Sequence, residues 1–148
     1  MSEAELRQEL ARVGRSLHAR GYVHGTTGNL SARLDDGFLI TATDACLGEL
    51  GEGDIVRVDR NGKAGAGARP SKTLALHLRI YAAEPEARCV IHTHSSHLVR
   101  ASLALPPGES RDDFLPPITP YFVMKVGHVP LIAYHRPGDP AVADRVAA

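Results

Sequence analysis

The sequence predicts an α/β fold. Three observations carry that expectation. Two stretches place apolar residues at helical spacing: Leu6, Leu10, Val13 and Leu17, and then Leu74, His77, Leu78 and Tyr81. Between and after them lie short β-branched runs bounded by turn residues, such as Phe38-Leu39-Ile40-Thr41 behind Asp35-Asp36-Gly37. The chain has 148 residues, the size of one domain with its own core.

Composition narrows the function classes. Hydrophobic residues make up 43% and charged residues 23%, ordinary for a soluble globular protein. Lys plus Arg is 17 and Asp plus Glu is 17, so no basic surplus points to nucleic acid or an anionic membrane. Any phosphate binding must come from a local site. The longest apolar runs are far too short to span a bilayer, and Met1 to Arg20 is polar and periodic, unlike a signal peptide. Cys46 and Cys89 are far apart and form no CxxC pair, so no disulfide framework is expected and the cytoplasm is the expected compartment.

The elements follow in chain order. Ser2-Glu3-Ala4-Glu5 has the form of a capping box and opens the first helix, with Gly21 as its stop. Gly25-Thr26-Thr27-Gly28-Asn29 is a loop rich in small and hydroxyl residues. It can offer N–H groups, two hydroxyls and an amide to an anion, although such residues also make ordinary turns. Leu30 to Leu34 and Phe38 to Thr41 read as a hairpin, Thr41 to Gly48 as a second polar loop, and Asp54 to Val58 as a strand before the Asn61-Gly62 turn. Ala64 to Pro70 is a small-residue approach to a helix with Ser71 as its N-cap and Pro85 beyond its end. The loop and first N–H groups of that helix form a natural phosphate seat. His77 lies on the apolar stripe, which favours a buried, hydrogen-bonded structural histidine.

Cys89-Val90-Ile91-His92-Thr93-His94 comes next. On a strand, side chains two apart share a face, so His92 and His94 would converge. On a helix they would not. Convergent imidazoles suit zinc or another divalent transition metal. The spacing alone leaves open a pair of sheet histidines bonded to backbone or solvent. Ser95 to Leu105 reads as a helix broken by Pro106-Pro107-Gly108, and Pro106 to Pro120 as an irregular loop. Tyr121 to Met124 and Val129 to Ile132 read as strands joined around Gly127-His128. Pro137-Gly138-Asp139 then turns the chain into a last helix near Pro140.

Gly28-Asn29-Leu30-Ser31, the Asp36-Gly37 turn, Pro70-Ser71-Lys72 with His77, and His92-Thr93-His94 together resemble the class II aldolase/adducin family. Thr41-Ala42-Thr43 with Cys46-Leu47-Gly48, Thr119 to Lys125, and Tyr134-His135-Arg136-Pro137-Gly138-Asp139 have the look of its 3-oxo-tetronate 4-phosphate decarboxylase branch. The resemblance covers essentially the whole chain. It implies one three-layer α/β/α domain over 1–148 around a mostly antiparallel sheet, without the family's C-terminal part. It implies one divalent metal ion, zinc, held by His92 and His94 and by a third histidine expected beyond Ala148. It also implies a phosphate site at Thr26, Asn29, Thr43, Ser71 and Lys72, a small phosphorylated sugar or sugar acid as substrate, and a homotetramer.

Two residues depart from the family pattern. The catalytic Glu is Thr73 here, and a Gly of the aldolases' phosphate loop is Asp44. A carboxylate at 44 would repel phosphate unless it points away or pairs with Lys72 or Arg69. Thr73 cannot act as a carboxylate base, which harms an aldolase more than a decarboxylase, because loss of carbon dioxide from a β-keto acid needs no base. The expected function is therefore decarboxylation of a 3-oxo-tetronate 4-phosphate through a metal-stabilised enediolate. The alternatives are a fuculose- or rhamnulose-phosphate type aldolase and a non-catalytic adducin-like domain. His24, His97, His128, His135, Tyr121 and Tyr134 are all conceivable proton donors.

Overall fold

The computed structural model describes residues 1–106, 108–136 and 139–147. Helix α1, Glu3–Ala19, starts at the capping box: Ser2 Oγ accepts from the Glu5 N–H at 3.3 Å and the Glu5 carboxylate accepts from the Ser2 N–H at 2.6 Å. Strands β1, Asn29–Leu34, and β2, Gly37–Thr41, form the expected hairpin around Asp35-Asp36. Strand β3 is Ile55–Asp59, helix α2 Leu74–Ala83 and strand β4 Cys89–His92. The four strands make one sheet in the order β3-β2-β1-β4, antiparallel throughout.

Strand alternation sends the two faces of this sheet to different partners. Leu30, Ala32 and Leu39 face α1 and join Leu10, Val23, Leu47 and Leu50 in one core. Phe38, Ile40, Val56, Val58 and Val90 face α2 and pack with Tyr81. The result is the layered α/β/α arrangement that the family resemblance implies. Gly14 is the point of closest approach between α1 and the segment below it, since a Cβ there would stand 2.6 Å from the Leu47 carbonyl oxygen and 3.0 Å from Leu50 Cδ1. Gly14→Ala should therefore cost about 1–3 kcal/mol through overpacking, seen as a lowered urea midpoint with an unchanged m-value.

Several elements differ from the expectation. The helix read from Ser71 begins at Leu74 with Thr73 as its cap, because the Ser71 N–H is taken by the Thr41 carbonyl at 3.0 Å and holds that residue to the sheet. Strand β4 ends at His92, so His94 lies just beyond the strand on which the two rings were expected to share a face, and the next helix, α3, spans Ser96–Leu103. Tyr121 to Met124 is not a strand. It lies in helix α4, Pro120–Lys125, where Thr119 caps the Phe122 N–H at 3.1 Å and Pro120 takes the first turn. This cap and proline outweigh the β-propensity of Tyr, Phe and Val. Val129 to Ile132 forms only an isolated bridge, Arg111 to Leu131, with Pro130 unable to donate to a ladder. Helix α5, Pro140–Val146, is capped by Asp139 and joined to α2 by an Arg79–Asp144 ion pair at 2.8 Å. The readings at Pro106-Pro107-Gly108, Pro137-Gly138-Asp139 and Ala148 fall partly or wholly outside the described residues. No helix is long and apolar enough to cross a membrane among those residues.

Candidate active site

The start of β1, the end of β4 and the start of α2 meet at one end of the sheet. The register pairs Asn29 with His92, so both begin or end their strands at that point. Between them and the loops lies a cleft of about 450 Å³. Its walls include Thr26, Asn29, Thr43, Ser71, Lys72, Thr73, His92 and His94, the positions expected for phosphate, metal and the family's Glu. The fold thus gathers segments as far apart in sequence as Thr26 and His94 into one wall. Thr27, Gly28, Ala42, Asp44, Leu76, His135, Arg136 and Val142 complete it. Of the six conceivable proton donors, only His135 lines the cleft.

Gly28 shows why the loop has its composition. Its φ is +78°, and a Cβ would stand 2.5 Å from Val23 Cγ1 and 2.8 Å from the His92 carbonyl oxygen. Only glycine lets the Thr26–Asn29 loop lie this close to β4.

Asn29 is the hub of the site's hydrogen bonding. It is buried, and its Oδ1 accepts from the Thr73 hydroxyl at 2.8 Å, from His77 Nε2 at 2.6 Å and from His92 Nδ1 at 3.3 Å. His77 Nδ1 lies 2.7 Å from Ser31 Oγ, which lies 2.8 Å from the Tyr81 hydroxyl. His77 is the structural histidine expected from its place on the stripe. Sequence reading did not anticipate Ser31 or Tyr81 as part of this system.

Burial, and then the charge of His92, push His77 down to about 4 from its ordinary 6.5. Burial, and then the charge of His94, lower His92 as well. The linkage for His77 has a definite sign. Between pH 6.5 and about 4 the unfolded chain binds a proton there and the folded chain does not. Stability is therefore fully present above pH 6.5 and is lost as pH falls toward 4, by roughly 3 kcal/mol at most for this one group. Urea unfolding of the metal-free chain between pH 4 and 7 should show that slope, and His77→Leu should flatten it.

His92 and His94 stand with ring centroids 4.9 Å apart, tilted by 38°, both on the cleft wall. The His94 N–H donates to the Tyr22 carbonyl at 3.2 Å, which turns the chain just after β4 and keeps the two rings on one side. Among the described residues no group of three or more His, Cys, Asp or Glu side chains converges. His92 and His94, adjacent on the cleft wall, are the pair there that the family resemblance marks as candidate ligands. Their fit to a divalent cation is favourable. His92 is held in its neutral form by burial, and a ring whose Nδ1–H is anchored keeps Nε2 as its lone-pair donor.

The anion seat differs in detail from its expected form. The N–H groups of Ser71, Thr43 and Thr27 are bonded to the carbonyls of Thr41, Arg69 and His24, and that of Thr73 to Ser71 Oγ. Hydroxyls and the Lys72 ammonium remain as its main donors. Asp44 has φ +61°, a conformation that glycine adopts freely and Asp tolerates better than most residues. Its carboxylate sits 3.5 Å from Lys72 Nζ and 3.7 Å from Arg69. The pairing that would keep Asp44 from repelling phosphate is present. All three side chains are exposed, so opening those pairs costs within about 1 kcal/mol each.

Comparison with known proteins gives the family of the chain. The Class II Aldolase and Adducin N-terminal domain matches residues 8–148. A 3-oxo-tetronate 4-phosphate decarboxylase of Cupriavidus necator is 58% identical over 147 residues, covering 99% of this chain and 66% of the relative. One from Pectobacterium atrosepticum is 42% identical over 147 residues, with the same 99% and 66%. The solved structure of YgbL from Klebsiella pneumoniae, a candidate aldolase/epimerase/decarboxylase, superposes with a TM-score of 0.87 at 40% identity, covering 99% of this chain and 70% of that one. The chain spans about two thirds of the length of the curated relatives it matches.

Proposed function

Because the chain belongs to the Class II Aldolase and Adducin N-terminal domain family, we propose that it is the site-bearing part of a lyase that decarboxylates a 3-oxo-tetronate 4-phosphate. The observation that carries this is the single cleft lined by the two histidines, the hydroxyl-and-lysine seat and an uncharged Thr73. Relatives that carry the decarboxylase name over nearly the whole of this chain support the choice within the family.

In the proposed reaction the substrate phosphate lies among Thr26, Asn29, Thr43, Ser71 and Lys72. The Thr26 and Thr43 hydroxyls donate to its oxygens, and Lys72 exchanges Asp44 for the phosphate dianion. His92 and His94 would hold a divalent cation, for which zinc is the proposed ion. When bound, it supplies Lewis-acid stabilisation to charge developing on the substrate's ketone oxygen. The C1–C2 bond breaks, carbon dioxide leaves, and its electron pair passes toward the ketone. C2 then needs a proton. His135 is the donor we propose from this chain. It lines the cleft, and its Nδ1 is oriented by the Asp139 carboxylate at 3.2 Å. Thr73 takes no proton. Its hydroxyl is committed to Asn29 and keeps that wall neutral beside a substrate with two anionic groups.

We propose a homotetramer in the cytoplasm. The assembly is supported by exposed Ile118, Tyr121 and Met124 on and before α4, at 81%, 71% and 78%, and by Leu103 of α3 at 79%. The compartment is supported by two free cysteines.

The test is release of carbon dioxide from a 3-oxo-tetronate 4-phosphate by metal-loaded protein. Lys72→Ala should raise KM by about tenfold or more while changing kcat less, since a lost charged contact to phosphate is worth about 1.5–3 kcal/mol. An unchanged KM would place the phosphate elsewhere.

A further inference from the structure

We infer that His77, with Ser31 and Tyr81 behind it, is a positioning residue that fixes the tautomer of His92 by orienting the Asn29 carboxamide. The first step is the identity of the inward atom of that amide. The structure places Asn29 Oδ1 inward, where the Thr73 hydroxyl donates to it at 2.8 Å. His77 Nε2, 2.6 Å from the same oxygen, must then carry a hydrogen. A neutral imidazole protonated at Nε2 is bare at Nδ1, so Nδ1 accepts from the Ser31 hydroxyl at 2.7 Å. Ser31 Oγ, having spent its proton, accepts from the Tyr81 hydroxyl at 2.8 Å. Every proton in the chain then has one direction.

The consequence appears at the open end. The same Asn29 oxygen faces His92 Nδ1 at 3.3 Å, so His92 is protonated at Nδ1 and bare at Nε2. Asn29 Nδ2 has no hydrogen-bond partner among the described residues, and no buried side-chain nitrogen or oxygen is left unpaired there. The amide NH₂ is therefore turned to the cleft. One carboxamide thus sets two things: the lone pair at His92 and a donor aimed at the anion seat. His77, Ser31 and Tyr81 are all buried, so the chain is enclosed by the α2–sheet layer and is not rearranged by solvent.

The inference rests on the metal reading only for its purpose. The tautomer can be measured without metal. Nitrogen NMR of the histidine side chains in metal-free protein at pH 7.5 should show His92 protonated at Nδ1. His77→Leu should move His92 toward a mixture of tautomers. His77→Gln, which keeps a donor near the position of Nε2, should restore the wild-type signal. Ser31→Ala breaks the chain one bond further back and serves if His77→Leu does not fold; it should shift the tautomer in the same direction. Zinc titration against a chromophoric chelator should show about 10–100-fold weaker binding in His77→Leu, the usual cost of losing an outer partner of a ligand. Wild-type His92 protonated at Nε2, or a folded His77→Leu with unchanged tautomer and zinc affinity, overturns the inference. A wild type with the Nδ1–H tautomer supports the positioning chain whether or not this chain, which carries two of the three expected histidines, holds zinc.

Discussion

His92→Ala is expected to remove metal binding and to lower carbon dioxide release by about 10³-fold. The size follows from the chemistry. Decarboxylation leaves an electron pair that must be accommodated on an oxygen, and a cation beside that oxygen supplies several kcal/mol of stabilisation. Each 1.36 kcal/mol is tenfold in rate, so about 4 kcal/mol gives the expected loss. His94→Ala should behave alike, since the two rings stand with centroids 4.9 Å apart and neither has a substitute among the described residues. The double variant should cost little more than either single one, because residues that act as a unit are not additive. Chelation of the wild type should reproduce the loss, and added zinc should rescue the chelated wild type but not the variants. Activity in His92→Ala within about tenfold of wild type would show that the two histidines are sheet residues without a ligand role.

Much of this site was legible because its residues are announced by local rules. Ser2 and Glu5 state where α1 begins, Asp35-Asp36 where the hairpin turns, and His92-Thr93-His94 that two rings emerge together. Their meaning depends on residues close in sequence. The hydrogen-bonded interior was not legible in that way. Asn29, Ser31 and Arg33 alternate along β1, and nothing local in the sequence says what covers them. In the fold that face is covered by α2, and its polar groups are paired there. Ser31 meets His77 and Tyr81, and the Arg33 guanidinium lies 4.6 Å from the Tyr81 ring centre, donating to the carbonyls of Ala87 and Tyr81. Partners forty to fifty residues away decide between a wet face and a buried network, and no periodicity contains them. The α4 segment failed for a different reason. Tyr121 to Met124 has strand-forming side chains, but Thr119-Pro120 fixes the backbone ahead of them, and a satisfied cap is worth about 1 kcal/mol. The role of Arg136 and His135 as wall residues depends on α5 returning to α2, again a long-range event.

The second large effect concerns Thr73. Thr73→Glu should raise cleavage of fuculose- or rhamnulose-phosphate by about 10²-fold or more and change decarboxylation by less than tenfold. Retro-aldol cleavage begins with removal of a hydroxyl proton, and a positioned carboxylate contributes about 10²–10⁴-fold to such a step. A β-keto acid brings its electron supply already ionised. The structure says what the substitution meets. Thr73 caps α2, gives its proton to Asn29 Oδ1 at 2.8 Å and lies 3.0 Å from Ser71 Oγ. A glutamate cannot donate to Asn29, so its carboxylate is turned away from that oxygen and toward the cleft that Thr73 already lines. Its negative charge at a helix N-terminus is stabilised by about 0.3–1 kcal/mol, so the variant should fold. Thr73→Val is the control: it removes the hydroxyl, adds no base, and should leave both reactions within about tenfold of wild type. Both reactions are measured on metal-replete protein, carbon dioxide from the keto acid and aldehyde from the sugar phosphates. A wild type that cleaves the sugar phosphates efficiently and releases no carbon dioxide is an aldolase. A wild type that does neither, and that Thr73→Glu fails to awaken, is the non-catalytic domain, with its two histidines and hydroxyl loop serving only to bind.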